Sequence, residues 1–224
     1  MNLVQVKNVF KTYEQGKVRM PALMGVSLDI ERGEFMALAG PSGSGKTTLL
    51  NLIGGLDTIS EGDVVFDGRS LKAMTQAQLS RLRLEKIGFV FQTFNLIPVL
   101  TAQENVEFIM MLQGVGAKER RERARAVLEE VGLEEYFDRR PIEMSGGQQQ
   151  RVAVARAIVA QPELVLADEP TANLDSKTGR ALIELMHEMN RKLSITFVFS
   201  THDRLVMEES ERLVKIRDGR LDGE

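Results

Sequence analysis

Four short apolar segments recur along the chain, and within each of them apolar residues follow one another with little alternation. They are Phe35 to Ala39, Ile87 to Phe91, Leu164 to Ala167 and Ile195 to Phe199. Strands that are covered on both faces have this pattern, and such strands are typical of parallel sheets flanked by helices. The pattern therefore predicts a parallel β-sheet at the centre of a doubly wound α/β fold.

Helical patterns separate the apolar segments. Lys46 to Ile53 predicts a short helix, and Thr178 to Leu193 carries its apolar residues on one face. Three further helices are predicted between residues 92 and 160, where no convincing strand occurs: Thr101 to Leu112, Ala117 to Val131, and Ser145 to Ala160. We expect residues 93–160 to form a helical subdomain inserted into the core.

The N-terminal part of the chain alternates more clearly. Leu3 to Tyr13 and Leu23 to Ile30 read as half-buried strands, and Asp63 to Phe66 leads into an Asp67-Gly68 turn. Such a pattern predicts an antiparallel β subdomain. We interpret residues 1–224 as a single domain, with residues 1–92 and 161–224 forming the core and its antiparallel subdomain.

Composition narrows the class of protein. With 224 residues and 43% hydrophobic content, the chain is long enough to bury one sizeable core. It contains no cysteine, which excludes disulfides and thiolate metal sites and agrees with a reducing compartment. No segment reaches the roughly 18 apolar residues that span a bilayer, so any membrane spans would come from a partner.

The charge of the chain argues against a nucleic-acid partner. The formal net charge of -3 gives no overall attraction to a polyanion. The most basic segment, Lys118 to Arg125, is interrupted by acidic residues, and Glu119 and Arg123 have the spacing of an ion pair on a helix. We interpret this segment as a solvated helix face and expect no nucleic-acid partner.

A glycine-rich loop joins the first apolar segment to the first helix. It reads Gly40-Pro41-Ser42-Gly43-Ser44-Gly45-Lys46-Thr47, and Thr48 follows. Glycines in this context let successive N–H groups point inward, the helix start adds positive charge, and Lys46 adds a full charge against phosphate oxygens. Thr47 offers a hydroxyl to Mg²⁺. The loop therefore predicts binding of a nucleoside triphosphate with Mg²⁺.

A second helix start has a similar character. Ser145-Gly146-Gly147-Gln148 has the spacing of a capping box, which is a purely structural explanation for Ser145 and Gln148. Two glycines in a first helical turn, however, cost about 1 kcal/mol each relative to alanine, and they expose N–H groups to an anion. We therefore predict a second anion-binding helix start.

With these two motifs the chain resembles the ATP-binding cassette (ABC) family, whose signature LSGGQ reads MSGGQ here from Met144. The resemblance covers essentially the whole chain. It implies that a second copy of the chain packs head to tail with the first around two ATP molecules and Mg²⁺. Ser145 and Gly147, with Gly146 and Gln148 beside them, would then contact the γ-phosphate of ATP held by the other copy's glycine-rich loop.

Two adjacent carboxylates follow the apolar segment that begins at Leu164. Asp168 has the position of a Mg²⁺ ligand, and the resemblance makes Glu169 the residue that polarises the attacking water. The resemblance also makes Gln92 a contact to Mg²⁺ or water, and His202 a catalytic contact to the γ-phosphate. Lys46 would stabilise the charge of the transition state.

Tyr13 and Asp175 also match positions of the family. Tyr13 lies where the family stacks an aromatic ring on adenine, although a half-buried strand tyrosine is a plain alternative. Asp175 matches a loop that touches the opposite nucleotide site. His187 lies within a helical pattern and is interpreted as structural.

The apolar loop Phe94 to Leu100 is similar to the region that receives a helix of the membrane subunit in transporter cassettes; packing within the helical subdomain is the plain alternative. The resemblance is strongest to the lipoprotein-releasing and macrolide-exporting subgroup. It implies a cytoplasmic ATPase, peripheral on the inner face of the cell membrane, that drives a separate permease. The alternative is a soluble cassette in DNA repair or translation, but the coiled-coil insertions, paired cassettes and zinc modules of those relatives are not visible.

Overall fold

The structure of the chain is a computed structural model that describes residues 1–16 and 18–222. Its strands and helices, in chain order, are β1 (Asn2–Gln15), β2 (Val18–Glu31), β3 (Phe35–Ala39), α1 (Lys46–Ile53), β4 (Glu61–Phe66), β5 (Arg69–Ser70), α2 (Gln76–Lys86), β6 (Ile87–Phe91), α3 (Ala102–Leu112), α4 (Ala117–Glu130), α5 (Gly146–Ile158), β7 (Leu164–Asp168), α6 (Ser176–Leu193), β8 (Thr196–Thr201), α7 (Arg204–Glu209), β9 (Arg212–Arg217) and β10 (Arg220–Leu221).

The four apolar segments form neighbouring strands of one sheet, as the sequence predicts. The strand order is β10-β9-β3-β8-β7-β6, and all neighbours are parallel except β10, which pairs antiparallel with β9 at the edge. All residues of β3 and β8 are buried. Apolar and polar residues do not alternate in these strands, because both faces of each strand are covered.

The parallel sheet separates two apolar clusters, because successive side chains of a strand point to opposite faces. Phe35 and Ala37 of β3 belong to the cluster that includes α3, α5 and α6. Met36 and Leu38 belong to the cluster that includes α1 and strands of the antiparallel sheet. His187 of α6 stacks on the Phe35 ring with centroids 4.6 Å apart, which agrees with its structural interpretation.

The predicted antiparallel sheet is present, with strand order β2-β1-β4-β5. Its first two strands are longer than the sequence pattern indicates, and β1 pairs with both β2 and β4. Asp67 and Gly68 form the turn between β4 and β5, each with a positive φ. The fold class predicted from the sequence, a parallel core with an antiparallel sheet and inserted helices, is confirmed.

Helices α2 and α7 are absent from the sequence prediction. Helix α2 lacks an apolar stripe because Leu79 is its only buried residue; what fixes its start is a capping box between Thr75 and Gln78. Helix α7 has six residues and is too short to show a period. Hydrophobic periodicity therefore could not reveal either helix.

The helices between β6 and β7 follow the prediction to within two residues at each end. On α4, Ala124 and Leu128 are buried, whereas Glu119 and Arg123 form an exposed ion pair of 3.5 Å, as expected for a solvated face. Asn105 on α3 is fully buried and hydrogen-bonds Ile97 at both its N–H and its carbonyl, so it fixes the loop after β6. The division of the chain at residues 93 and 160 stays a prediction.

Gly88→Ala is expected to lower the free energy of unfolding by about 1–3 kcal/mol. A Cβ at Gly88 of β6 would overlap the carbonyl oxygen of Ala157 on α5, so the strand and the helix would have to separate. Urea unfolding followed by circular dichroism measures the change.

Gly179→Ala on α6 is the matched control for Gly88→Ala. The Cβ would lie 3.5 Å from Thr171 Cβ, an ordinary contact, and alanine favours the helix, so stability is expected to be equal or higher by up to about 1 kcal/mol. Similar losses in both variants would contradict the packing argument.

Candidate nucleotide-binding site

A polar cleft of about 340 Å³ lies at the edge of the parallel sheet where β3, β6, β7 and β8 end. It is lined by Ala22, Ser42, Gly43, Gly45, Lys46, Thr47, Thr48, Gln92, Asp168, Glu169 and His202. Apart from Ala22, each of these is a site residue expected from the sequence. The carboxyl ends of parallel strands are where ligands bind in α/β folds.

Lys46 is held in the cleft by its own loop. It is 6% exposed, and its Nζ donates hydrogen bonds to the carbonyl oxygens of Gly40 at 2.7 Å and Pro41 at 2.9 Å. Gly45, directly before it, has a φ of 104°, and a Cβ there would lie 2.6 Å from the Ala22 carbonyl oxygen. Only glycine satisfies both conditions. The loop therefore fixes an ammonium group beside the N-terminus of α1, as a phosphate site requires. Ser44 is buried within the same loop.

A hydroxyl and a carboxylate meet at the end of β7. Thr47 Oγ1 donates a hydrogen bond of 3.0 Å to Asp168 Oδ1. Within residues 1–16 and 18–222, no group of three or more His, Cys, Asp or Glu side chains forms a metal site of its own. This donor set fits Mg²⁺, which in phosphate sites takes one or two carboxylates and completes its shell with water and substrate phosphates.

Glu169 and His202 are paired on the other side of the cleft. His202 Nδ1 lies 2.8 Å from Glu169 Oε1, and Lys46 Nζ lies 4.0 Å from the same oxygen. Glu169 has a φ of 47°, and its N–H donates to the Ser200 carbonyl at 2.9 Å. A positive φ at glutamate costs about 1–3 kcal/mol and is typical of functional sites. Its carboxylate is therefore fixed between a histidine and a cation.

Gln92 follows β6 directly and reaches the cleft with an exposed side chain. Its carbonyl oxygen accepts a hydrogen bond of 2.9 Å from Asn173 Nδ2. The backbone of Gln92 is thereby tied to the segment that follows Glu169. The structure thus brings Gln92 together with the glycine-rich loop, the two carboxylates and His202.

The second glycine-rich helix start lies outside this cleft. Ser145 Oγ accepts from the Gln148 N–H at 3.3 Å, and Gln148 Oε1 accepts from the Ser145 N–H at 2.8 Å, so the capping box is present. Ser145 is exposed, and residues 145–148 are not among those that line the cleft. One copy of the chain therefore keeps its two glycine-rich helix starts apart.

Gly147 has a packing role that the sequence does not reveal. A Cβ at this position would lie 2.5 Å from Thr178 Cγ2 on α6. The Thr178 hydroxyl donates to Asp175, the N-cap of α6, at 2.6 Å. At Gly146 the nearest described atom would be 3.6 Å from an added Cβ, which is an ordinary contact. The inference that both glycines serve an anion is thus incomplete, because packing of α5 against α6 also favours a glycine at 147.

Tyr13 lies on β1, beside the cleft rather than in its lining, and is 38% exposed. Its hydroxyl donates to Asp57 Oδ2 at 2.8 Å, and Lys11 Nζ lies 4.8 Å from the ring centroid. Burial raises the pKa of Tyr13; the nearby Thr48 side chain acts in the opposite direction, and Asp57 adds to the rise. Tyr13 is thereby connected to Thr48, which does line the cleft.

A profile described as ABC transporter matches residues 23–172. This chain belongs to the ABC transporter family. It is 47% identical to an ABC transporter ATP-binding protein of Thermotoga maritima, over 99% of this chain and 94% of that protein. It is 45% identical to the macrolide export ATP-binding/permease protein MacB of Syntrophobacter fumaroxidans, where it spans 32% of that protein.

A solved structure of the ATP-binding cassette MJ0796 from Methanocaldococcus jannaschii matches with a TM-score of 0.91 and 45% identity. The match covers 98% of this chain and 96% of that one, and the structure is a dimer in a post-hydrolysis state bound to ADP and Pi. The predicted family, ATPase activity, and ATP and Mg²⁺ as ligands are confirmed. This cassette is an ATP-binding and ATP-hydrolysing transporter subunit.

Two polar residues of α5 that hydrogen-bond neighbouring loops are missing from the sequence prediction. Gln150 of α5 is fully buried, and its Nε2 donates to the carbonyl oxygens of Pro170 at 2.7 Å and Phe91 at 3.4 Å. Arg156 of α5 donates to the carbonyl oxygens of Phe94 and Asn95 at 2.9 Å and 2.5 Å, and burial lowers its pKa. The sequence does not single these two residues out, because α5 also contains Gln148, Gln149 and Arg151.

Gly147→Ala is expected to lower the Tm by several degrees, because its Cβ meets Thr178 Cγ2. The double variant Gly147→Ala, Thr178→Ser removes that methyl group and keeps the hydroxyl for Asp175. We expect the double variant to regain stability but not ATP turnover, measured by phosphate release. Recovery of turnover together with stability would show that Gly147 is needed for packing alone.

Proposed function

We propose that two copies of this ABC ATPase pack head to tail, so that the Ser145 helix start of one copy closes over the cleft of the other. The observation that carries the proposal is the separation of these two features within one chain, each with exposed groups suited to phosphate. The Ser145 hydroxyl caps the Gln148 N–H, which leaves the Gly146 and Gly147 N–H groups at the helix start for an anion. The solved structure of MJ0796 is a dimer, which supports the dimeric part of the proposal.

Within the cleft, each residue has a proposed role. Lys46 binds phosphate oxygens, while Thr47 and Asp168 would hold Mg²⁺, which when bound neutralises phosphate charge. Glu169 accepts the proton of the attacking water. The water oxygen bonds to the γ-phosphorus as the bond between that phosphorus and the departing oxygen of ADP breaks. His202 orients that carboxylate through Nδ1, which leaves Nε2 for the γ-phosphate.

Three further contacts complete the proposed nucleotide site. Gln92 would contact Mg²⁺ or the water from the end of β6. Asp175, which caps α6 beside Gly147, would touch the opposite site of the dimer. Tyr13 would stack on the base, because its hydroxyl lies close to Thr48, which lines the cleft.

We further propose that a permease docks in an apolar groove of about 650 Å³ between α2, β6, α3 and α5. Its lining includes Phe89, Phe108 and Leu112, and the last of these is 54% exposed. Asn95 and Ile97 of the loop after Gln92 also line it, which places the groove next to the cleft along the chain. An apolar surface of this kind suits a helix of a partner.

The permease partner would place this cassette in the cytoplasm, on the inner face of the cell membrane. No helix among residues 1–16 and 18–222 is long and apolar enough to cross a bilayer. The similarity to MacB supports a permease of the macrolide-export or lipoprotein-release type, since MacB carries an ATP-binding part and a permease in one chain.

Glu169→Gln tests the closure mechanism. We expect it to bind ATP-Mg normally but to hydrolyse it at least about 100-fold more slowly, because the amide cannot accept the water proton. Size-exclusion chromatography with ATP-Mg should then show a dimer. Ser145→Arg in the same background is the control and should restore the monomer; a monomer in both cases would refute closure around ATP.

Leu112→Lys tests the permease groove. A charge there should reduce copurification of an integral permease from detergent-solubilised membranes by about tenfold or more, because it would have to be buried on docking. Leu213→Lys on β9 is the control, since Leu213 is 41% exposed and does not line the groove. Mass spectrometry identifies and quantifies the permease. Equal recovery with both variants would place the docking surface elsewhere.

A further inference from the structure

A partly buried ion pair, with Lys11 buried and Asp57 half-buried, lies between β1 and the loop after α1, next to Tyr13. Lys11 is 6% exposed, and its Nζ lies 2.7 Å from Asp57 Oδ1 and 2.8 Å from the Thr58 carbonyl oxygen. The second carboxylate oxygen, Oδ2, accepts the Tyr13 hydroxyl at 2.8 Å. Asp57 therefore joins a buried cation on one side to the tyrosine on the other.

Asp57 is ionised in this arrangement. Burial alone would raise its pKa, but hydrogen bonds from Lys11, Tyr13 and the Thr58 N–H outweigh burial and lower the pKa. A hydrogen bond to a carboxylate is about twice as strong as one between neutral groups. The Tyr13 hydroxyl is thereby anchored to a charged and internally satisfied acceptor.

Lys11 also acts on Tyr13 through the ring itself. Its ammonium lies 4.8 Å from the ring centroid, a cation–π distance. One face of the ring is thus occupied by a side chain of the same strand, and the hydroxyl is fixed at its edge. A ring held in this way can stack on another aromatic group only through its other face, and the side chain is 38% exposed.

We propose that Lys11 and Asp57 are positioning residues for the nucleotide base: together they hold the Tyr13 ring in the orientation that stacks on a purine. The inference rests on the proposed stacking of Tyr13 and extends it to two residues that need not touch the nucleotide. Pre-ordering a side chain removes the entropy cost of fixing it on binding. Stacking also reads the face of a base more than its edge, so ATP and GTP should benefit alike.

Removal of one atom, the Tyr13 hydroxyl oxygen, separates the positioning role from stacking of the ring alone. Tyr13→Phe keeps the ring and the cation–π contact but removes the hydroxyl that reaches Asp57. If stacking needs only a ring, this variant should bind ATP as the wild type does. If the anchor matters, ATP binding should weaken by roughly twofold to tenfold, as expected for an unfixed side chain.

Calorimetry measures binding of ATP-Mg and of inorganic tripolyphosphate to the full chain. The wild type is compared with three single variants, Tyr13→Ala, Tyr13→Phe and Asp57→Asn. A double variant combines Tyr13→Phe with Asp57→Asn. Tripolyphosphate has no base and reports the Lys46 site alone. We expect Tyr13→Ala to lose roughly tenfold or more in ATP affinity. Tyr13→Phe and Asp57→Asn should each lose about twofold to tenfold, and the double variant no more than either one. Tripolyphosphate affinity should not change.

Tyrosine fluorescence provides a second readout. The chain contains two tyrosines and no tryptophan, so a Tyr136→Phe background leaves Tyr13 as the only tyrosine emitter. Stacking of a base should quench its emission when ATP is added, whereas tripolyphosphate should not. In Asp57→Asn the quenching at saturating ATP should be smaller, because the ring is less often aligned with the base.

Each other outcome has a distinct meaning. If Tyr13→Ala weakens ATP binding but Tyr13→Phe and Asp57→Asn do not, stacking holds and the positioning role is wrong. If Tyr13→Ala has no effect on ATP binding, the base does not reach Tyr13 and the proposed base contact fails with the inference. If tripolyphosphate binding falls along with ATP binding, the pair supports the glycine-rich loop rather than the base, which also overturns the inference.

Discussion

The register of the parallel strands determines where the chemistry of this cassette can occur. Asp168 pairs with Ser200 on one side and with Phe91 on the other, and Ala39 pairs with Thr201. The residues that follow these ends are the glycine-rich loop, the Glu169 turn, the His202 turn and the Gln92 loop. A slip of one residue would move a strand end by about 3.3 Å and turn its side chains to the opposite face. The buried strands resist such a slip, because it would move their side chains into the apolar cluster on the opposite face of the sheet, where they do not fit.

Helix α5 connects the exposed signature to the interior of the site. Near its start, Gln150 reaches the carbonyl oxygens at the ends of β6 and the Glu169 turn; near its end, Arg156 reaches those of Phe94 and Asn95. Phe94 and Asn95 both have a positive φ. Movement of α5 relative to these loops would break several of these hydrogen bonds at once, including the buried one between Gln150 and Pro170. These hydrogen bonds therefore link α5 directly to the loop after Gln92.

The sequence predicts the buried strands best, because continuous burial leaves a pattern that needs no knowledge of the partner. The bounds of β3, α1 and β6 are those expected from the sequence. Helix α2 could not be predicted from periodicity, because its one buried residue, Leu79, leaves no stripe. The glycine-rich loop follows the end of β3, and Asp168 and Glu169 lie at the end of β7. The local sequence is therefore enough to place them. The contacts of Gln150, Lys11 and Asp57 depend on residues far away in the chain, so no local pattern could identify them.

The carbonyl oxygens that hold Lys46 have a consequence for nucleotide exchange. A buried ammonium without partners would be costly, yet Gly40 and Pro41 already satisfy this one from within the loop. A phosphate oxygen that binds Lys46 would replace or join these carbonyl oxygens as an acceptor. The ammonium would therefore keep a hydrogen-bond partner when the nucleotide leaves. The backbone of the loop therefore sets where the ammonium lies, and it places this charge at the start of α1.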